Sequence, residues 1–60
     1  MTAMIKGKDI CSVIKEIHIV PRIGESICFW DEDNIVTKKV IDIVYFVTSY
    51  DIIHRIEIYV

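Results

Sequence analysis

Sixty residues, 53% of them hydrophobic and with a formal charge of -2, make a single domain (residues 1–60) that buries only about 60% of the surface its unfolded chain exposes. Lys and Arg are scattered among acidic residues along the whole chain, which argues against the clustered basic face that sequence-independent phosphate binding requires. Cys11 and Cys28 form no CxxC and are too few for a disulfide framework. Reduced, buried thiols are therefore expected, and self-association is left as the usual supplement to so thin a core.

The first segment, Met1 to Lys8, shows no hydrophobic period and is expected to be loosely ordered. No basic start, apolar core and small-residue cleavage site follow one another there, so a cytoplasmic protein is expected. From Ser12 to Val20 the run "SVIKEIHIV" is rich in β-branched residues and reads as a strand near 13–20. The spacing of Ile10, Val13, Ile14 and Ile17 behind Asp9 would also suit a short helical stripe, so residues 9–14 stay open between helix and strand.

Pro21 lacks an N–H, fixes its own φ and pushes Val20 to extended geometry, which closes this strand. Gly24 supplies backbone freedom, and "PRIGE" becomes a strand-to-strand loop with Ile23 expected to fold back on the core. As a binding tip the same loop would display Arg22 and Glu25. A second strand is predicted near 26–30, and the polar Asp31-Glu32-Asp33-Asn34 cluster reads as a hairpin turn. A long strand, 35–47, follows, bulged or bent near Lys38-Lys39. Thr48 to Asp51 makes the last turn, and the strand 52–60 alternates cleanly. Ile52, His54, Ile56, Ile58 and Val60 share its core face, with Arg55, Glu57 and Tyr59 opposite.

Four to five short strands and no long helix predict an all-β fold, a small antiparallel SH3-like barrel. The strand Val40 to Val47 is apolar on both faces, with Ile41, Ile43, Tyr45 and Val47 on one and Val40, Val44 and Phe46 on the other. A small barrel encloses only one face, so the other is expected to meet a second copy or a partner. The same stretch is interrupted by Asp42 and falls far short of the ~18 residues of a membrane helix, so no membrane association is expected.

No nucleophile or acid–base pair oriented by a third group is visible in the spacing, and no enzyme is expected. His18, His54 and the two cysteines fit no zinc signature, and Asp31, Glu32 and Asp33 lack the glycine and distal glutamate of a calcium loop. Neither metal nor cofactor is expected. One of Phe29 and Trp30 must face outward, and Trp30 either caps the end of the barrel or joins the aromatic contacts Tyr45, Tyr50 and Tyr59.

The segment "VPRIGESI", followed by a hairpin and a closing "IEIYV", resembles small uncharacterised SH3-like barrel proteins of bacteria and phages that share a Val-Pro-Arg-hydrophobic-Gly-Glu loop. This resemblance covers about two thirds of the chain and implies a fold but no activity. "RIGESI" and "HRIEIY" are also similar to two segments of the carbon storage regulator family of dimeric RNA-binding proteins. That match implies Arg55, and secondarily Arg22, as RNA contacts.

The sequence thus leads to a non-enzymatic module that forms a homodimer and binds a protein partner, of the kind phages or mobile elements encode to inhibit a host protein. Its contact residues are expected among Arg22, Glu25, Trp30, Val44, Phe46, Arg55 and Tyr59. The alternative is a small regulator binding RNA or single-stranded DNA.

Overall fold

The computed structural model describes residues 1–50 and 52–60. Its described residues form an all-β fold of six strands: β1 (Thr2–Gly7), β2 (Ile10–Glu16), β3 (Ser26–Asp31), β4 (Asn34–Lys39), β5 (Asp42–Val47) and β6 (Ile53–Tyr59). Four of them make one sheet in the order β2-β1-β6-β5, and β3 and β4 form a separate hairpin. Among the described residues no helix is long and apolar enough to cross a membrane. The expected last turn includes Asp51, which lies outside the described residues.

Residues 1–8, expected to be loose, instead supply a central strand. Ala3 and Ile5 point into the core beside Ile56 and Ile58 of β6, to which β1 runs parallel. The expected wholly antiparallel plan of four to five strands is corrected accordingly. A parallel pair needs a long crossover, and here β2 through β5 provide it. The alternation in so short a segment gains its meaning from a partner more than fifty residues away, which no local pattern reports.

Residues 10–14 are strand, and β2 ends at Glu16 rather than at Val20. The reason is its partner. β1 begins at Thr2, and the last rung is the Ile17 N–H donating to the Met1 carbonyl at 2.8 Å. The turn Lys8-Asp9 joins the two strands beside Gly7, where a Cβ would lie 2.9 Å from Val60 Cγ2.

The loop after β2 is held by its own residues. The Glu25 N–H donates to the Arg22 carbonyl at 3.1 Å, and the Arg22 N–H donates to Glu25 Oε1 at 2.6 Å. Gly24 takes a φ of 95°, a conformation L side chains rarely adopt. Ile23 is exposed and does not plug the core. The tight turn consumes the loop's polar groups and leaves Ile23 at its tip. The hairpin closes through Glu32-Asp33, with Asp31 opposite Asn34 and Glu32 at a φ of 56°.

The long strand expected over 35–47 breaks at Val40. The Val40 N–H donates to the Glu25 carbonyl and the Gly24 N–H donates to the Val40 carbonyl, both at 2.8 Å, so Val40 extends the hairpin ladder. One residue later the Ile41 N–H donates to the Tyr59 carbonyl at 2.8 Å and the chain joins the larger sheet. Val40 is completely buried there with Ala3, Ile5, Phe29, Ile56 and Ile58. Phe29 and Val40 are the hairpin side's contribution to that core.

Val40→Ala is expected to lower unfolding stability by about 2 kcal/mol, through lost burial and the cavity left behind. Gly24→Ala should cost about 1 to 2 kcal/mol, because an L side chain is disfavoured at positive φ. Ile23→Ala, by contrast, should stay within about 0.5 kcal/mol of wild type. Urea denaturation of the three variants checks all of these values.

Candidate interaction surface

β5 forms one edge of the larger sheet, paired to β6 by Ile43 opposite Ile58, Val44 opposite Glu57, Tyr45 opposite Ile56 and Phe46 opposite Arg55. Side chains alternate between faces along a strand, so Ile43 and Tyr45 share the core side with Ile56 and Ile58. The cover over that side is partial: Ile43 is half-buried against the core that includes Phe29 and Val40, while Tyr45 beyond it is exposed. Tyr45 is 48% exposed and Val47, opposite the exposed Ile53, is 54% exposed. This apolar strip lies on the sheet face turned toward the core, beyond the reach of its cover.

The opposite face carries Val44 and Phe46, each half-buried. The surplus apolar area is therefore greater on the Tyr45 side than on the Val44–Phe46 side where it was sought. The Arg55 guanidinium lies over the Phe46 ring, 4.4 Å from its centroid. Glu57, with Met4 of β1 on one side and Val44 of β5 on the other, is only 3% exposed. Three groups satisfy its carboxylate. Lys6 Nζ and Arg55 Nη2 lie 3.2 and 3.1 Å from Oε2, and the Tyr59 hydroxyl donates to Oε1 at 2.6 Å.

The Tyr59 hydrogen bond is the main cause holding the Glu57 carboxyl below the usual carboxylate range, with Lys6 and Arg55 acting in the same direction against burial. The same bond, with burial, holds the Tyr59 phenol above its ordinary value. Both ring cations of this face, Lys6 and Arg55, are thus engaged by one carboxylate.

Of the residues singled out in the sequence, Val44, Phe46, Arg55 and Tyr59 come together around Glu57 on this face. Arg22 and Glu25 are exposed in the loop, and the Glu25 carboxylate is used in holding its turn. Trp30 is the outward ring, 56% exposed and paired across the hairpin with Ile35, itself 60% exposed, while Phe29 faces the core. Tyr45, one of the aromatic contacts expected from the sequence, is on the surface, whereas Val47, Ile53 and Ile35 were missed as surface candidates. Their alternation was readable, but the extent of the hairpin's cover was not.

Several side chains depart from expectation. His54 and Ile52 are exposed rather than on the core face, because the β5–β6 register slips between Phe46–Arg55 and Val47–Ile53 and leaves His54 unpaired. A bulge of this kind re-aims the side chains around it. Cys11 and Cys28 are exposed free thiols, not buried ones. Cys28 stands opposite Thr37 on the outward side of the hairpin, the same side as Trp30. Among the described residues, no three His, Cys, Asp or Glu side chains are grouped as metal ligands would be. An apolar cavity of about 430 Å³ lies between β2, the following loop and β3, lined by Ile5, Ile17, Ile19, Pro21, Ile27 and Cys28 among others. It marks the seam between the sheet and the hairpin.

Glu57 and Tyr59 give opposite pH limbs. A depressed carboxyl pKa stabilises the fold fully above the unfolded value of about 4.3 and loses that contribution as pH falls through the lower folded value. A raised phenol pKa stabilises below about 10 and is lost as pH rises through the higher folded value. Urea midpoints measured across pH should therefore fall at both ends. Because one hydrogen bond is the largest cause of both shifts, Glu57→Gln and Tyr59→Phe are each expected to flatten both limbs, with Lys6 and Arg55 keeping a residual acid limb in Tyr59→Phe. Comparison of the chain with protein-family models, with curated proteins and with solved structures yields no match.

Proposed function

We propose that this chain is a non-enzymatic interaction module, an open variation on the SH3-like barrel, that self-associates as a homodimer and binds a protein partner in the cytoplasm. The observation that carries the reading is the uncovered apolar strip on β5 and its neighbours, with Tyr45, Val47 and Ile53 about half exposed. Contiguous exposed apolar surface of this kind marks interaction sites in soluble proteins. Trp30 and Ile35 form a second exposed apolar pair on the outward side of the hairpin, and exposed tryptophan is a frequent energetic anchor of interfaces. Two apolar surfaces suit a module that uses one to pair with itself and the other, with Arg22 nearby in sequence, to hold a partner. Inhibition of a host protein by a phage- or mobile-element-encoded chain is the role we assign to such a module.

The engagement of Arg55 by Glu57 weighs against the nucleic-acid alternative at the residue that the regulator resemblance implies as its contact. Lys6 and Arg55 are held by Glu57, and Lys38 lies 3.7 Å from Asp9. Phosphate binding gains from unpaired, clustered cations.

Sedimentation equilibrium at micromolar concentration is expected to return the mass of a dimer; a monomer across the concentration range would overturn the self-association. In a gel-shift titration, random RNA and single-stranded DNA should not bind at physiological salt. A complex that weakens steeply with salt and is lost in Arg55→Ala would replace this reading with the regulator-like one.

A further inference from the structure

We infer that the dimer forms by edge-to-edge pairing of β5 with β5 of a second copy, antiparallel about a two-fold axis at Tyr45, so that two four-stranded sheets become one of eight. The inference rests on the self-association proposed above and specifies its surface and register.

The backbone of β5 supplies the first argument. In an antiparallel ladder alternate residues turn their N–H and C=O toward the neighbouring strand. The Thr48 N–H donates to the Ile52 carbonyl at 2.9 Å, on the β6 side. The Ile43 N–H instead bonds Asp42 Oδ1 at 2.9 Å. By this alternation Asp42, Val44, Phe46 and Thr48 serve β6, while Ile43, Tyr45 and Val47 direct their backbone groups to the open edge. No strand of the described residues pairs there.

Natural edge strands are normally blunted by lysine, proline or inward-pointing charge. The opposite edge, β2, carries Lys15 and Glu16 and lies beside β3. β5 has no lysine, arginine or proline, and its one charge is Asp42 at the end. It is the unprotected edge.

Its sequence is also self-complementary in one register. Outward-facing residues must oppose outward-facing residues, and centring the axis on Tyr45 places Ile43 opposite Val47 of the second copy and Tyr45 opposite its counterpart. On the other face Val44 then meets Phe46. Every pair is apolar on both faces, and such cross-strand pairs are the stabilising unit of a sheet. Asp42 falls opposite Thr48, a hydroxyl donor, and the two Asp42 carboxylates are kept at opposite ends of the interface. Like charges are never juxtaposed. The exposed Tyr45, Val47 and Ile53 strip of each copy becomes continuous across the axis.

The test uses the full chain. Tyr45→Lys puts a charge on the half-exposed centre of the edge without disturbing a bond to β6, and circular dichroism with Trp30 fluorescence checks that it folds. Its dimer dissociation constant should rise at least about 30-fold, the effect of losing an interface hot spot. Cross-linking, in a Cys11→Ser/Cys28→Ser background, then reads the register. Tyr45→Cys should form a disulfide-linked dimer, since directly paired Cα atoms lie about 5.5 Å apart, within disulfide range. Ile43→Cys should link to Val47→Cys in a mixture but not to itself, because four residues at about 3.4 Å each separate the two copies of residue 43.

A folded Tyr45→Lys protein that dimerises like wild type, or self-linking of Ile43→Cys, would overturn the inference while leaving self-association standing. A monomeric wild type would overturn both.

Discussion

Within a single peptide step at Val40–Ile41 the backbone leaves the ladder of the hairpin and enters that of the larger sheet, and the arrangement of both depends on that exchange. Val40 donates to and accepts from the loop residues Glu25 and Gly24, and its side chain is completely buried against the central strands. The loop is in turn shaped by the Glu25 carboxylate on the Arg22 amide and by the positive φ of Gly24. A run of residues that looks like an exposed recognition tip thus acts as the clamp that orients the hairpin. The hairpin is anchored at this end and beside β2, and its cover leaves Tyr45 and Val47 of β5 exposed. The open strip around Tyr45 follows from the same geometry that buries Val40.

The second organising feature is electrostatic. β6 lies between two strands, so its outward-facing centre is enclosed by Met4 and Val44 and a glutamate there leaves water behind. A buried charge is tolerated only when it is paired and hydrogen-bonded. Lys6, Arg55 and Tyr59 meet that requirement from both β1 and β6. The cluster ties the parallel pair together on the face away from the core, and it engages both Lys6 and Arg55 with one carboxylate. The Arg55 side chain, which sequence similarity marks as an RNA contact, spends its guanidinium on Glu57 and on the Phe46 ring.

These two features separate the functional roles of the surface. On the outer face of the sheet the charged cluster around Glu57 is satisfied, and on the core side Tyr45 and Val47 of β5 lie open. The edge of β5 is flanked by exposed apolar side chains, and the Trp30–Ile35 pair is exposed on the hairpin. Both are suited to contact, one through backbone pairing and the other through an aromatic anchor.

The sequence by itself determined the elements whose signals are local. β-branched residues marked the second half of β2, clean alternation marked β6, Pro21 and Gly24 marked the loop, the acidic cluster Asp31 to Asn34 marked the hairpin, and Asp42 interrupted the longest apolar run. Clean alternation also assigned Arg55, Glu57 and Tyr59 to one side of β6. Tertiary structure decided what depends on neighbours distant in the chain. Met1 to Lys8 has no pattern strong enough to declare a strand, yet pairing with β6 makes Thr2–Gly7 the centre of the sheet. Val40 to Val47 reads as one strand because its apolar composition is uniform, and only the bonds to Glu25 and Tyr59 divide it. Glu57 reads as solvated because glutamate usually is, and its burial comes from being flanked on both sides. The exposure of Tyr45 is decided by how far the cover over its face extends, since alternation specifies which way a side chain points but not whether anything lies above it.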